Sequence, residues 1–311
     1  MHSDARVHRQ TSGALERGYR GVAASRDLRL IAAVTVLGVL QASSDYLKKR
    51  KIDNARLNAE HLLAHLLDRK RIELYLEFER ELTETELAPL RDLVRRRGEG
   101  VPLQHLLGTV KFCGLTILCD QRAMVPRPET EELVELLESR IENRESRIVD
   151  VGTGSGVIAL TLAAKFPETK VYALDISEDA LALGRSNAER LGLTERVHFF
   201  KSNLLQNISE RFDLIVANLP YISMQDRQSL SSEVLHDPAI ALFGGARGDE
   251  LIRDLIEQAP PHLQSNGLLA LEIGVGQSEP LREFLVEKNF HDIESKKDYS
   301  GTLRFFFARY G

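Results

Sequence analysis

From Arg147 onward the chain alternates apolar runs with helical patterns, and this alternation restricts the fold more than any other feature. "RIVDVG", "KVYALDIS", "VHFFKS", "FDLIVAN" and "LLALEIG" read as strands, with helices between them around 156–166, 178–191 and 247–264. Strands joined by helical crossovers run parallel, because a tight turn can only reverse the chain. The result is one doubly wound α/β sheet. The tail departs from the rule: "DIESKKDY" and "TLRFFFARY" are separated only by a short turn at Ser300 and Gly301. Two strands joined that tightly are antiparallel.

Upstream the pattern changes. From about Thr35 to Gly98 it is helical throughout: "NARLNAEHLLAHLL" repeats Leu at spacings of three and four, and Thr83 with Glu86 is placed as a capping box before Leu87, Leu90 and Leu93. "GTVKFCGLTILCD" then reads as a hairpin straddling Gly114. In "VPRPETEELVELLESRI" two prolines exclude helix at the residues before them, and the acids after Pro128 favour a helix start. The expected organisation is a disordered extension over 1–34, a helical domain over 35–99, a hairpin and linker over 100–128, and an α/β domain over 129–311.

Bulk properties remove several function classes. With 311 residues, 43% hydrophobic and 28% charged, the chain has an ordinary globular composition. Its net charge of −5 argues against a general phosphate-binding surface, so no stable nucleic-acid partner is expected. Cys113 and Cys119 are too few for a disulfide framework and read as core thiols of a reducing compartment. "LIAAVTVLGVL" (30–40) is too short to span a bilayer, and the long polar lead before it does not suit a signal peptide. His61 and His65 are four apart on a helix but lack a third ligand, so no metal site is expected. The picture is a cytoplasmic monomer.

The first strand ends in "VDVGTGSGVIAL". Gly152, Gly154 and Gly156 make a turn in which missing side chains let backbone amides approach a ligand. Thr153 and Ser155 complete it. Asp175 ends the second strand, where a carboxylate can take both ribose hydroxyls of an adenosine. The glycines run G-x-G-x-G after Asp150, not G-x-G-x-x-G. A second acid there repels a pyrophosphate but suits the ammonium of a methionine moiety, so S-adenosylmethionine fits better than NAD. Asn203, after the third strand, either accepts from the adenine amino group through its amide oxygen or merely ends the strand, and Leu204 offers an apolar wall for the ring.

The fourth strand runs into "NLPY", Asn218 to Tyr221. The stretch is either turn punctuation or a small binding surface for something planar and polar, and it resembles the signature of methyltransferases that act on a nitrogen bonded to a planar group: adenine, cytosine or a glutamine amide. Such a nitrogen is a poor nucleophile because its lone pair is delocalised. The side-chain oxygen of Asn218 and the main-chain oxygen of Leu219 can hold both of its protons, Pro220 stiffens the turn, and Tyr221 can stack on the planar group. No general base is needed, and positioning of this kind contributes up to roughly 7–11 kcal/mol.

"NLPY" resembles the Asn-Pro-Pro-Tyr signature of amino-group methyltransferases, with Leu219 where Pro is commoner, and it also resembles the ribosomal-RNA adenine dimethyltransferases. The antiparallel closing strand is similar to the seven-stranded, Rossmann-like sheet of class I methyltransferases. From about Thr35 to Tyr310 the chain resembles the HemK-type release factor glutamine methyltransferases, through the helical bundle, "RRRGEGVPLQHLLGTVKFCGL", "MVPRPETEELV", "EVLHDPAIALFGG" and "LLALEIGVGQ". The resemblance implies methylation of the Gly-Gly-Gln glutamine of peptide chain release factors, an N-terminal bundle that contacts the release factor, and a "PRPET" region that borders the cofactor pocket. Arg127 and Glu129 are either pocket residues or solvated linker charges, and Glu272 either bonds a neighbouring loop or has a functional role. The rival activities are methylation of a ribosomal-protein glutamine and of an adenine amino group in RNA or DNA. A cofactor-binding module without catalysis is the alternative of another class.

Overall fold

A computed structural model describes residues 35–141 and 145–311. The extension expected over 1–34 lies outside them. Among the described residues the chain divides into two compact units, one ending at Glu99 and one running Gly100–Gly311.

The first unit contains α1 (Val36–Lys49), α2 (Ala55–Leu66) and α3 (Glu84–Gly98). Thr35 caps α1 by accepting from Gly38 N, and Thr83 with Glu86 forms the capping box expected at α3. These bonds satisfy amide groups that the first turn of a helix leaves without partners. Leu40, Leu47, Leu62, Leu63, Leu90 and Val94 are buried between the helices, which is what the three-and-four spacing requires.

The second unit opens with α4 (Leu103–Leu107) and the hairpin β1 (Thr109–Phe112) and β2 (Leu115–Leu118). Cys113 and Gly114 form its turn, both at positive φ (44° and 82°), the conformation that a two-residue hairpin turn demands. Cys113 is therefore a half-buried turn residue and not a core strand thiol, whereas Cys119 is buried. Burial pushes the two thiols up to about 11 and about 12. Next come α5 (Pro128–Glu138), β3 (Arg147–Val151), α6 (Val157–Lys165), β4 (Lys170–Asp175), α7 (Glu178–Leu191), β5 (Val197–Lys201) and β6 (Phe212–Asn218). A short pair, β7 (Ile222–Ser223) and β8 (Phe243–Gly245), brackets α8 (Ala239–Leu242). The chain finishes with α9 (Glu250–Gln258), β9 (Leu263–Glu272), α10 (Ser278–Glu287), β10 (Phe290–Lys297) and β11 (Leu303–Tyr310).

Among the described residues seven strands form one sheet in the order β10-β11-β9-β6-β3-β4-β5. All pairings are parallel except those of β11, the last strand, which is inserted antiparallel between β9 and β10. Strand alternation sorts the core into two layers. Ile148, Val171, Leu214, Val216, Phe305 and Phe307 face α5 and α6, while Val149, Ile215, Ala217, Phe306 and Ala308 face α9 and α10. Helices on both faces make the α/β class explicit. β3 lies where the order reverses, so the carboxyl ends of β3, β4 and β6 open one crevice at the switch point, where such sheets bind ligands.

Two elements differ from the reading of the sequence. The helix expected over 247–264 stops at Gln258, because Pro260 and Pro261 lack amide hydrogens and disfavour helix before them; β9 then starts at Leu263. α10 falls where the sequence analysis names no helix; Pro280 stands in its first turn, where no amide hydrogen is needed.

Candidate active site

The glycine turn after β3 is fixed by backbone bonds. Gly152 N and Thr153 N both donate to Leu174 O (2.8 and 2.9 Å), and Gly154 N donates to Asp175 Oδ2 (2.9 Å). Gly152 stands at φ 75°, and a Cβ there would come within 2.8 Å of Leu219 Cδ2, so only glycine fits without strain. The other oxygen of Asp175 accepts from Ser177 N (2.9 Å). Burial raises the Asp175 carboxyl while these amide donors lower it. Its orientation is thus set by the backbone.

A cleft of about 1100 Å³, its open mouth included, lies over this turn. Gly152, Thr153, Gly154, Ser155, Asp175, Asn203, Leu204, Asn218, Leu219 and Pro220 all line it. Gly156 does not; a Cβ there would meet Leu160 and Gly184, so it serves the close packing of α6 on α7. Tyr221 lines a second, adjoining cavity instead, together with Arg127, Glu129 and Arg304. Asn218, Leu219 and Pro220 belong to both cavities. These three residues are therefore part of the wall they share.

Asp150 departs from expectation. It is fully buried, and its Oδ2 accepts from Thr153 Oγ1 (2.6 Å) and Ala159 N (3.1 Å), tying the turn to α6 from beneath. It does not line the cleft, so it cannot meet a ligand's ammonium directly. Burial pushes its carboxyl up to about 7.

Asn218 sits opposite Glu272 in the register of β6 and β9. Its Nδ2 donates to Thr130 Oγ1 (2.9 Å), and Thr130 Oγ1 donates to Glu272 Oε2 (2.8 Å). Burial pushes Glu272 up to about 7, opposed by the Thr130 hydrogen bond and the charge of Arg304. Arg127, at the cap of α5, donates to Asp237 Oδ2 (2.6 Å), and Asp237 Oδ1 accepts from Val125 N (3.1 Å). "PRPET" and "LHDP" are thereby joined.

Several lining residues had no individual signal in the sequence. Arg122, Ala123 and Met124 come from the loop after β2, and Ile240 and Ala241 from α8. Leu204 holds φ at 52°, a conformation that a branched residue rarely adopts. Asn187, fully buried on α7, donates to Ser155 O (3.0 Å) and accepts from Leu118 N (2.6 Å), anchoring the hairpin to the glycine turn. Gly244 is packed so tightly that a Cβ would lie 2.2 Å from Pro220 O.

The cleft suits S-adenosylmethionine. It is lined by the half-buried Asp175 carboxylate of fixed orientation, by the apolar side chains of Leu204 and Ile176, and by Ser202, whose Oγ lies buried without a partner among the described residues. Sheet order, switch-point cleft and glycine turn define a class I methyltransferase that uses this donor. A relative from Geobacter sulfurreducens called release factor glutamine methyltransferase is 38% identical over 279 residues, covering 89% of this chain and 97% of that protein, and one of the same name from Escherichia coli is 35% identical over 259 residues, covering 83% and 93%. The chain belongs to the release factor glutamine methyltransferase family. The PrmC N-terminal domain model matches residues 38–108, and the methyltransferase small domain model matches 127–245. A methyltransferase structure from Pyrococcus furiosus shares the fold, with TM-score 0.50 at 23% identity, covering 63% of this chain and 89% of that one.

Proposed function

We propose that this chain transfers a methyl group from S-adenosylmethionine to the side-chain amide nitrogen of the glutamine in the Gly-Gly-Gln motif of peptide chain release factors. The observation that carries this reading is the shared wall: Asn218, Leu219 and Pro220 face the cofactor cleft on one side and a second cavity on the other. A donor and an acceptor held in the two cavities meet there. What the donor supplies when bound is a methyl carbon made electrophilic by its sulfonium.

The chain's own residues handle the acceptor. Asn218 Oδ1 and Leu219 O take the two amide protons, which leaves the nitrogen's remaining lobe directed at the methyl carbon. As positive charge develops on nitrogen, the same oxygens stabilise it. The surplus proton leaves to water after the C–N bond has formed. Tyr221 lies against the carboxamide plane, and its ring is itself held under Arg304, whose guanidinium carbon is 6.0 Å from the ring centroid. Gly152, Thr153, Gly154, Ser155 and Gly156 shape the donor side, Asp175 takes the ribose, and Asn203 with Leu204 takes the adenine.

The helical unit over 35–99 is assigned to release-factor recognition, the segment 100–128 to a hairpin and linker, and 129–311 to catalysis. A net charge of −5 favours a protein substrate over ribosomal RNA. The same reading makes the enzyme a cytoplasmic monomer. The test is incubation with radiolabelled S-adenosylmethionine and, separately, release factor, ribosomal proteins and ribosomal RNA. Label is expected on the release-factor glutamine; label on RNA alone removes the reading.

A further inference from the structure

The hydrogen-bond chain behind the tetrapeptide has a direction. Thr130 is 3% exposed and Glu272 1% exposed, so neither exchanges its partners freely with water. The Thr130 hydroxyl has a single hydrogen, and the structure directs it to Glu272 Oε2 at 2.8 Å. The Thr130 oxygen can then only accept from its remaining neighbour. The Asn218 atom that meets it must accordingly be the NH₂ nitrogen, as found at 2.9 Å. Asn218 Oδ1 is left with no partner among the described residues, on the wall between the two cavities.

We infer that Thr130 is a positioning residue for methyl transfer: locked as donor to Glu272 and acceptor from Asn218, it keeps the Asn218 amide from flipping and presents its oxygen to the substrate nitrogen. A free Asn amide can turn over and offer its NH₂ instead, which repels the protons it must hold. Three elements supply the relay, α5, β6 and β9, and only the fold brings them together. The inference rests on the role proposed above for Asn218.

Thr130→Val keeps the shape and removes the hydroxyl. It is expected to lower kcat on release factor about 10- to 100-fold, the effect of releasing one oriented contact, while cofactor Kd measured by titration calorimetry stays within about threefold. Thr130→Ser restores kcat to within a few-fold of the parent. In the double variant with Asn218→Ala, the valine adds no further loss, because the amide it orients is gone. A full additional loss in that background shows a merely structural role and overturns the inference, as does a Thr130→Val enzyme with unchanged kcat. Should the valine variant fail to fold, Glu272→Gln asks the same question, since glutamine can donate as well as accept and frees the direction of the relay; unchanged kcat there also overturns it. A fully active Asn218→Ala enzyme removes the proposed role of Asn218 itself, whereas an inactive Asn218→Ala beside a fully active Thr130→Val removes the relay alone.

Discussion

Arg127 and Asp237 stand 110 positions apart in the chain and are joined by a 2.6 Å bond between Nη2 and Oδ2, with the Asp237 side chain wholly out of solvent. A buried charge whose partner is removed is left costly and unpaired. Asp237→Ala strands the half-exposed guanidinium and also the amide of Val125. We expect it to destabilise the second unit by about 2–4 kcal/mol, after allowance for the partial exposure of Arg127, and to loosen both loops at the cleft. Urea melts monitored by circular dichroism measure the first effect; a midpoint equal to that of the parent contradicts it.

Asn218→Ala removes the acceptor in the wall between the cavities. The expected result is a loss of kcat of roughly 10²–10³ with cofactor affinity preserved. A methyl-transfer assay with release factor and calorimetric titration of the cofactor provide the two numbers. Comparable activity in the alanine enzyme contradicts the proposed role.

Asp175→Ala should act on the donor side instead. Its carboxylate is already oriented by Gly154 N and Ser177 N, so the hydroxyls of a ribose find it in place. Loss of charge-assisted hydrogen bonds of this kind costs about 1.5–3 kcal/mol, a weakening of cofactor binding of roughly 10- to 100-fold. Calorimetry in the absence of release factor isolates it, and an unchanged Kd rules out the ribose assignment.

Gly244→Ala places a methyl group 2.2 Å from Pro220 O and 2.3 Å from Gly248 O, both backbone atoms that cannot swing aside. The tetrapeptide must shift. A displacement near 1 Å at a reacting centre costs about 100-fold in rate, so kcat should drop by about two orders of magnitude while the cofactor, bound on the other wall, is held nearly as well. Equal kcat in parent and variant would mean that the β7–β8 pair does not set the wall.

Asp150 gives a pH dependence of stability with a definite sign. Its carboxyl is raised from 3.8 to about 7 in the folded protein. Between those values the folded state binds more protons than the unfolded one, so unfolding free energy falls as pH rises through that window. The contribution is complete below about pH 4 and gone above about pH 7, and it is on the order of 4 kcal/mol. Denaturant melts at pH 5 and pH 8 should differ less for Asp150→Asn than for the parent. Parallel shifts in the two proteins would place the dependence elsewhere.

Much of this architecture is written locally. "RIVDVG" and "FDLIVAN" declare buried strands because each is short, apolar and followed by turn residues; the glycine turn, Asp175 and "NLPY" then fall at strand ends by simple succession. The capping box at Thr83 is likewise readable within four residues. What the sequence hides is produced by approach from afar. Thr130 looks like one polar residue in an acidic helix start, and its meaning arises only where α5 crosses the ends of β6 and β9. Gly244 gives no sign that Pro220 O will press on it. Asp150 misled for a related reason: its neighbours in sequence suggested a ligand contact, whereas the inward turn of its side chain is decided by α6 packing overhead.

The placement of Leu303–Tyr310 between β9 and β10 carries a consequence for assembly. Until that segment emerges from the ribosome, β9 has an unpaired edge and the pockets for Phe305, Phe306 and Phe307 stand empty, so a nascent chain can shape its ligand crevice early yet cannot close its sheet. Such a half-built sheet invites partners for its open edge, and the final eight-residue strand acts as the keystone that ends this exposure.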